Sequence, residues 1–515
     1  MSAAMDRRRL LRLGGALGGL GVAAPFALQL AAAGAAAGQS APDYKALVCI
    51  FLVGGNDAHN TVLATDADSW GRYFTERNSG DDPIALMPAG EAPVAPGQVS
   101  AITGRVSDAG SPEAWGGVLP ITPATAQAVP EGTNATARAF ALHPFMAPMQ
   151  GLFQQGRLAV LANVGTLIEP TTKGQYQARS VAIPASLFSH NDQQSTWQAL
   201  SIEGARTGWG GRFADLMASA NGANSLFTAV SAAGNTVFLS GQSVVQYQLT
   251  NNALPAVAVS GVQGSSLFGS SLGPSRLRAT ITDTGLASSF AADYAAVTAR
   301  SLSASSTINS AFGQGIVTAV PGASAFVNPL TGRTESNSLA QQLQTVARMV
   351  AASSGLGLSR QVFFVALGGW DTHNTQNAVQ PVLLAKVAHA LAYFDGALSN
   401  IGGLDRRAQV TTFTASDFGR SFTTNGDGTD HAWGAHHFIM GGAVRGGDIY
   451  GQYPTLGVDV NGFNNPDNVA GALIPTTSVD QYGATLGRWF GVSDSDIDVI
   501  FPRLRNFRTR YLGFV

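Results

Sequence analysis

Short, unbroken apolar runs recur along this chain, separated by stretches whose apolar residues come every three or four positions. Residues 46–53 (ALVCIFLV), 158–165 (LAVLANVG), 361–367 (QVFFVAL) and 410–416 (VTTFTAS) are of the first kind. Runs so short and continuous predict strands buried on both faces. Around residues 142–155, Phe145, Met149 and Phe153 fall at i, i+4 and i+8, predicting a helix that Gly156 ends. Residues 338–354 place Leu339, Leu343, Val346 and Val350 on one face before Gly355, and residues 380–399 do the same with Leu384, Val387, Leu391, Phe394 and Leu398. Helix alternating with strand predicts a parallel sheet in an α/β sandwich. Two stretches break the rhythm. Residues 65–130, rich in Pro, Gly, Ala and Asp, predict a long surface insertion, and residues 202–335, dominated by Ser, Ala, Gly and Thr, predict a second insertion or cap of strands and loops rather than long helices.

Three predicted strands run into an acid: IFLVGGND reaches Asp57, FFVALGGWD reaches Asp371 and VTTFTASD reaches Asp417. In parallel sheets ligands gather beyond the carboxyl ends of strands, so the three carboxylates are expected to converge. Like charges that meet there need a cation or must take up protons. Histidines cluster in the same segments: His59 and His373 lie two residues from an acid, and His431, His436 and His437 follow Asp417 in TDHAWGAHHF. The glycines of TTNGDGTDHAWG let Asp430 and His431 fold back over the site, while the segment lacks the spacing of a phosphate-binding loop. The single cysteine, Cys49, sits inside an apolar run, which excludes an internal disulfide and a thiolate cluster. A metal would therefore use Asp57, Asp371, His373, Asp417, Asp430 and His431, a set that suits zinc or manganese and, in its carboxylate-rich part, calcium or magnesium. The plainer alternative is that each acid caps a turn and each imidazole packs locally.

Ser189-His190-Asn191-Asp192 has the spacing of a capping box ahead of a helix. A hydroxyl at a helix N-terminus is also where a nucleophile attacking phosphate or sulfate gains from the backbone amides, which makes Ser189 a candidate nucleophile and His190 a ligand or general acid. Arg420, in SDFGRS, is expected either to pair with an anionic substrate or to brace Asp417.

Composition narrows the partners. Lys and Arg number 30 against 32 for Asp and Glu, which leaves no basic footprint for nucleic acid. Charged residues are 12% of the chain, about half the usual share, so acidic clusters carry more information. The first 37 residues have a basic head, an apolar middle diluted by glycine, and small residues at the end, the pattern of a signal peptide cleaved after Ala37. Asp6-Arg7-Arg8-Arg9-Leu10-Leu11-Arg12 resembles the twin-arginine export motif. The expectation is export by the twin-arginine machinery to the periplasm or beyond, with residues 38–515 carrying no stable membrane span; an uncleaved anchor is the alternative.

Taken together and in order, the leader, FLVGGND, LHPFMAPM with GRLAVLANVG, SHNDQQSTW, GWGGRFAD, ALGGWDTHNTQ, SDFGR and GTDHAWGAHHFIMGGAVRGG resemble the exported bacterial family catalogued as domain of unknown function number fifteen hundred and one, often labelled sulfatase-like. That family is similar to the alkaline phosphatase superfamily. The resemblance implies a three-layer α/β/α sandwich with a mostly parallel central sheet, long insertions and two divalent metal ions at the strand ends, with Asp57, Asp371, His373, Asp417 and His431 at matching positions. It departs where Asp417 is followed by Phe418 instead of a histidine, and where Ser189 lies far downstream of the first strand. The function expected is metal-dependent hydrolysis of phosphate or sulfate esters. The alternative is a non-catalytic exported protein that binds a polymer or an assembly partner.

Overall fold

The computed structural model describes residues 43–130, 133–251, 261–262, 264–460 and 463–515. The expected twin-arginine leader lies outside the described residues.

Six strands build most of a nine-stranded sheet: β1 (Lys45–Val53), β2 (Leu158–Gly165), β3 (Ala229–Ser231), β4 (Arg360–Gly368), β5 (Val410–Ser416) and β6 (Ala435–Met440). From one edge the order is Ile449–Tyr450, β2, β6, β5, β1, β4, β3 and Tyr247–Gln248, with Thr477–Ser478 also pairing on β2. β1 lies parallel to β4, with Val53 opposite Gly368, and parallel to β5, with Leu52 opposite Ser416. Only β6 runs against its neighbours β5 and β2. The fold is therefore mixed α/β with a mostly parallel central sheet, as the alternation of elements predicts.

β1 shows why its sequence is apolar throughout. Ala46, Val48, Ile50 and Leu52 point into one hydrophobic core, and Leu47, Cys49 and Phe51 into the other. Each core is covered by helices. The first contains side chains of α2 (Ala147–Gln154), α6 (Ser338–Ala352) and α7 (Gln376–Leu398), and the second those of α4 (Trp209–Met217) and α8 (Val479–Phe490). In α6 the predicted face is the buried one: Leu339, Leu343, Val346 and Val350 are all covered, each stabilising the fold by about 1.5–3 kcal/mol. Asn337 caps that helix by accepting the amide hydrogen of Ala340.

The two irregular stretches hold more structure than their composition suggests. Residues 65–130 contain α1 (Ala67–Arg77) and the strand Leu119–Ile121, which joins a small sheet with Val62–Ala64 and Phe140–Leu142. Residues 202–335 contribute β3 to the central sheet and α4 to the helices that cover it, as well as α5 (Ser289–Phe312), a helix of 24 residues. This corrects the expectation of strands and loops. Small residues hid the helix, since Ala295, Ala304 and Ser305 on its covered side contribute little hydrophobic signal.

One edge of the sheet collects the chemistry. The carboxyl ends of β1, β4 and β5 lie together in register. Because β6 is antiparallel, its amino end, and the His431 segment just before it, return to that same edge.

Candidate metal centre

Four backbone segments meet at this edge. After β1 the chain turns through Gly54, at φ 123°, where a Cβ would stand 2.5 Å from the backbone nitrogen of Asp371. Any side chain there would displace the loop that presents Asp371. The Gly54 amide donates to Asp417 Oδ1 at 3.1 Å and so ties the first loop to the end of β5. The third segment is a hairpin pairing Arg420–Thr424 with Thr429–His431. Its turn is anchored by Asp427, whose carboxylate accepts from Thr375 N and whose carbonyl accepts from Gln376 N, both at 2.9 Å, at the start of α7. Gly428 lets the hairpin lie against the Asp371 loop, since a Cβ there would fall 2.5 Å from His373 O. The fourth is the start of α3 (His190–Ala199). Ser186 at φ 53° and Phe188 at φ 73° hold the approach to α3 in a left-handed conformation, at a cost of about 1–3 kcal/mol each.

Three imidazoles surround the Asp371 carboxylate with their Nε2 atoms. His373 Nε2 and His431 Nε2 lie 3.3 Å from Oδ1 and 2.8 Å from each other, and His190 Nε2 lies 3.4 Å from Oδ2. One ligand atom each from His190, Asp371 and His431 fall within 4.8 Å of one another. Although His190 Nε2 is close to Asp371, it is out of hydrogen-bond alignment, so this buried nitrogen has no hydrogen-bond partner.

The opposite ring nitrogens are all held from behind. His190 Nδ1 meets Asp417 Oδ2 at 2.7 Å, His373 Nδ1 meets Asp430 Oδ1 at 3.1 Å, and His431 Nδ1 meets the carbonyl of Phe188 at 2.7 Å. An acceptor at Nδ1 favours a proton there and an Nε2 turned inward, the way proteins orient metal-binding histidines, while the 2.8 Å hydrogen bond between His373 Nε2 and His431 Nε2 requires a proton on one of that pair. The donor chemistry of His190, Asp371 and His431 fits one ion, and His373 lies beside them. Among the described residues no other group of three His, Cys, Asp or Glu side chains converges in this way.

Charge at the centre is divided. The hydrogen bond that His190 donates to Asp417 raises the pKa of His190, whereas burial, and then the charges of Arg420 and the other imidazoles, lower that of His431. Burial opposes ionisation of Asp371, but the guanidinium of Arg420 overcomes it and holds the carboxyl below the usual carboxylate range.

The structure redistributes the expected roles. Asp57 does not join the centre: it is buried, Arg77 grips its two oxygens at 2.5 and 3.1 Å, and Gln376 donates to it at 2.7 Å. Asp417 and Asp430 stand behind the imidazoles rather than among the inward-facing atoms. Arg420 is fully buried and braces Asp371, not Asp417, while also donating to the carbonyls of Gly55 and Thr429 at 3.0 Å. Ser189 occupies the N-cap of α3, yet its side chain accepts no amide hydrogen, so the capping box does not form. Each strand-end carboxylate has its own cationic or imidazole partner, Arg77 for Asp57, Arg420 for Asp371 and His190 for Asp417. His59, His143, His436 and His437 are buried away from the centre.

Sequence reasoning missed Arg77, Gln194, Gln376 and Asp427. Gln194, which donates to Asp417 at 2.8 Å, was accessible: it lies four residues after His190 and so on the same helix face. Arg77 was not, because its helix lies in a stretch without clear periodicity.

A sequence model of the family described as protein of unknown function (DUF1501) matches residues 44–501, and the chain belongs to that family. The match carries no link to sulfatases. No curated protein matches the chain.

Proposed function

We propose, starting from membership of a family without an assigned activity, that this chain is an exported metal-dependent hydrolase of phosphate or sulfate esters. The observation that carries the reading is the inward convergence of three histidine Nε2 atoms on Asp371, each ring fixed through Nδ1. His190, Asp371 and His431 would hold one divalent cation, with His373 beside them and zinc or manganese favoured by the nitrogen-rich set over calcium or magnesium. When bound, such an ion supplies Lewis-acid polarisation of an ester oxygen. Asp417, Asp430 and the Phe188 carbonyl keep the imidazoles in the tautomer that points Nε2 inward. Ser189 is the candidate nucleophile, placed at the N-terminus of α3 with its hydroxyl unused by capping. Acids at the carboxyl edge of a mostly parallel sheet support an alkaline phosphatase-like sandwich, and the leader supports twin-arginine export to the periplasm or beyond.

One observation favours the non-catalytic reading, in which the same centre binds a metal for a polymer or assembly partner. Arg420, the arginine at the centre, is buried and committed to Asp371 and backbone carbonyls, which leaves it unable to hold an anionic ester.

The test is elemental analysis of protein purified without chelator, comparing wild type with Asp371→Ala, followed by turnover of nitrophenyl phosphate and nitrophenyl sulfate by wild type and Ser189→Ala. One equivalent of metal lost in the Asp371 variant, with turnover lost in the Ser189 variant, is the expected result. Metal without turnover would move the assignment to the binding protein. Absence of metal from the wild type would end both.

A further inference from the structure

We propose that Gln193 is a positioning residue of the centre, which clamps the left-handed turn before α3 and through that turn aims His431. The inference rests on the reading of His190, Asp371 and His431 as a metal site, and it concerns a side chain that touches no ion.

The contacts form one chain. Thr166 follows β2 directly and donates its hydroxyl to Gln193 Oε1 at 2.7 Å. Gln193 Nε2 donates to the carbonyls of Ala185 and Ser186, each at 3.2 Å. Carbonyls can only accept, so these contacts fix which end of the amide faces the turn. Gln193 and Thr166 are 1% and 3% exposed, and polar atoms so buried are costly to leave unpaired. Two residues beyond Ser186, the Phe188 carbonyl accepts from His431 Nδ1 at 2.7 Å. That acceptor requires a proton on Nδ1 and, in the neutral ring, leaves Nε2 bare toward the other donors.

The turn needs a clamp. Ser186 and Phe188, at φ 53° and 73°, would relax toward negative φ if released, swinging the Phe188 carbonyl off the imidazole. Two amide-to-carbonyl hydrogen bonds are of the same order as the cost of two left-handed residues, so losing them frees the turn. Gln194, the next residue, serves His190 in the same way: it donates to Asp417 Oδ2 at 2.8 Å, and that oxygen holds His190 Nδ1. Consecutive glutamines of SHNDQQSTW therefore set two of the three donors. If Gln193 only tied α3 to β2, its loss would move folding stability and leave the ring of His431 where it is.

The test uses Gln193→Met, which keeps the shape and removes both donors, alone and combined with Phe188→Gly. Glycine takes the positive φ without steric cost and keeps the backbone carbonyl. Nitrogen-15 spectra of histidine-labelled, metal-free protein report the tautomer of His431, and competition with a chromogenic chelator reports zinc affinity. Wild type should show His431 protonated at Nδ1. Gln193→Met should show mixed tautomers and bind zinc about tenfold more weakly, and Phe188→Gly in that background should restore both. Thr166→Val, which releases Gln193 Oε1, should shift both in the same direction by about threefold and decides the matter if Gln193→Met does not fold. Zinc binding by wild type with tautomer and affinity unchanged in these variants, or a loss that Phe188→Gly does not restore, overturns the clamp and leaves the metal centre standing. Absence of zinc binding by wild type ends the reading of the centre, while the His431 tautomer, read without metal, still decides the clamp.

Discussion

Asp57 and Asp371 follow strands of the same sheet in nearly the same words, GGND and GGWD, yet they live in opposite surroundings. Asp57 is 1% exposed and locked to a buried arginine delivered by α1. Asp371 keeps about half of its side chain exposed (48%) and is ringed by imidazoles. The same Arg77 also donates to the carbonyls of Ser421 and Phe422, at 2.8 and 2.9 Å, pinning the hairpin that carries His431. One acid therefore supports the frame and the other faces the centre. A glycine pair before an acid specifies a turn at a strand end; which cation arrives next to it specifies the role.

Acid separates the two regions most strongly. Burial pushes His143, His436 and His437 down from 6.5 to about 3, so the unfolded chain takes up protons more readily than the folded one. The stability they contribute is complete above about 6.5 and drains as pH falls toward 3. Asp480, pushed up by burial to about 6, acts with the opposite sign, gaining stability as pH falls from 6. Three histidines outweigh one aspartate, and unfolding free energy at pH 4.5 should be lower than at pH 7 by on the order of 5 kcal/mol. Urea titrations at the two values check this; equal stabilities would mean those histidines are not buried neutral.

Substituting each acid sharpens the contrast. Asp57→Ala strands the Arg77 charge in the interior and should cost about 3–5 kcal/mol in urea unfolding. Asp371→Ala leaves Arg420 its carbonyl acceptors and should cost under about 1.5 kcal/mol, while metal binding disappears. Similar losses of stability in the two variants would erase the distinction drawn between the sites. The smallest effect belongs to the residues behind the imidazoles. Asp417→Asn keeps the shape but weakens the hold on His190 Nδ1, and metal affinity measured by competition with a chelator should fall about 10–100-fold. An unchanged affinity would make Asp417 a purely structural residue.

Much of this was legible beforehand. The runs ALVCIFLV and VTTFTAS identified two-sided strands, the acids that follow them identified the sheet edge where the side chains gather, and the family resemblance agrees with the match over residues 44–501. His373 and His431 were found by their closeness to acids. The reversal of β6, the arrival of Arg77 and Arg420, and the division of the acids into one that faces the centre and three that do not were hidden. Local pattern determined which residues end strands, because burial periodicity and turn chemistry act over a few residues. Only the tertiary structure decided which partner each charge obtained, because a guanidinium 20 residues from Asp57 and another 49 from Asp371 meet them through packing that no short stretch of sequence encodes.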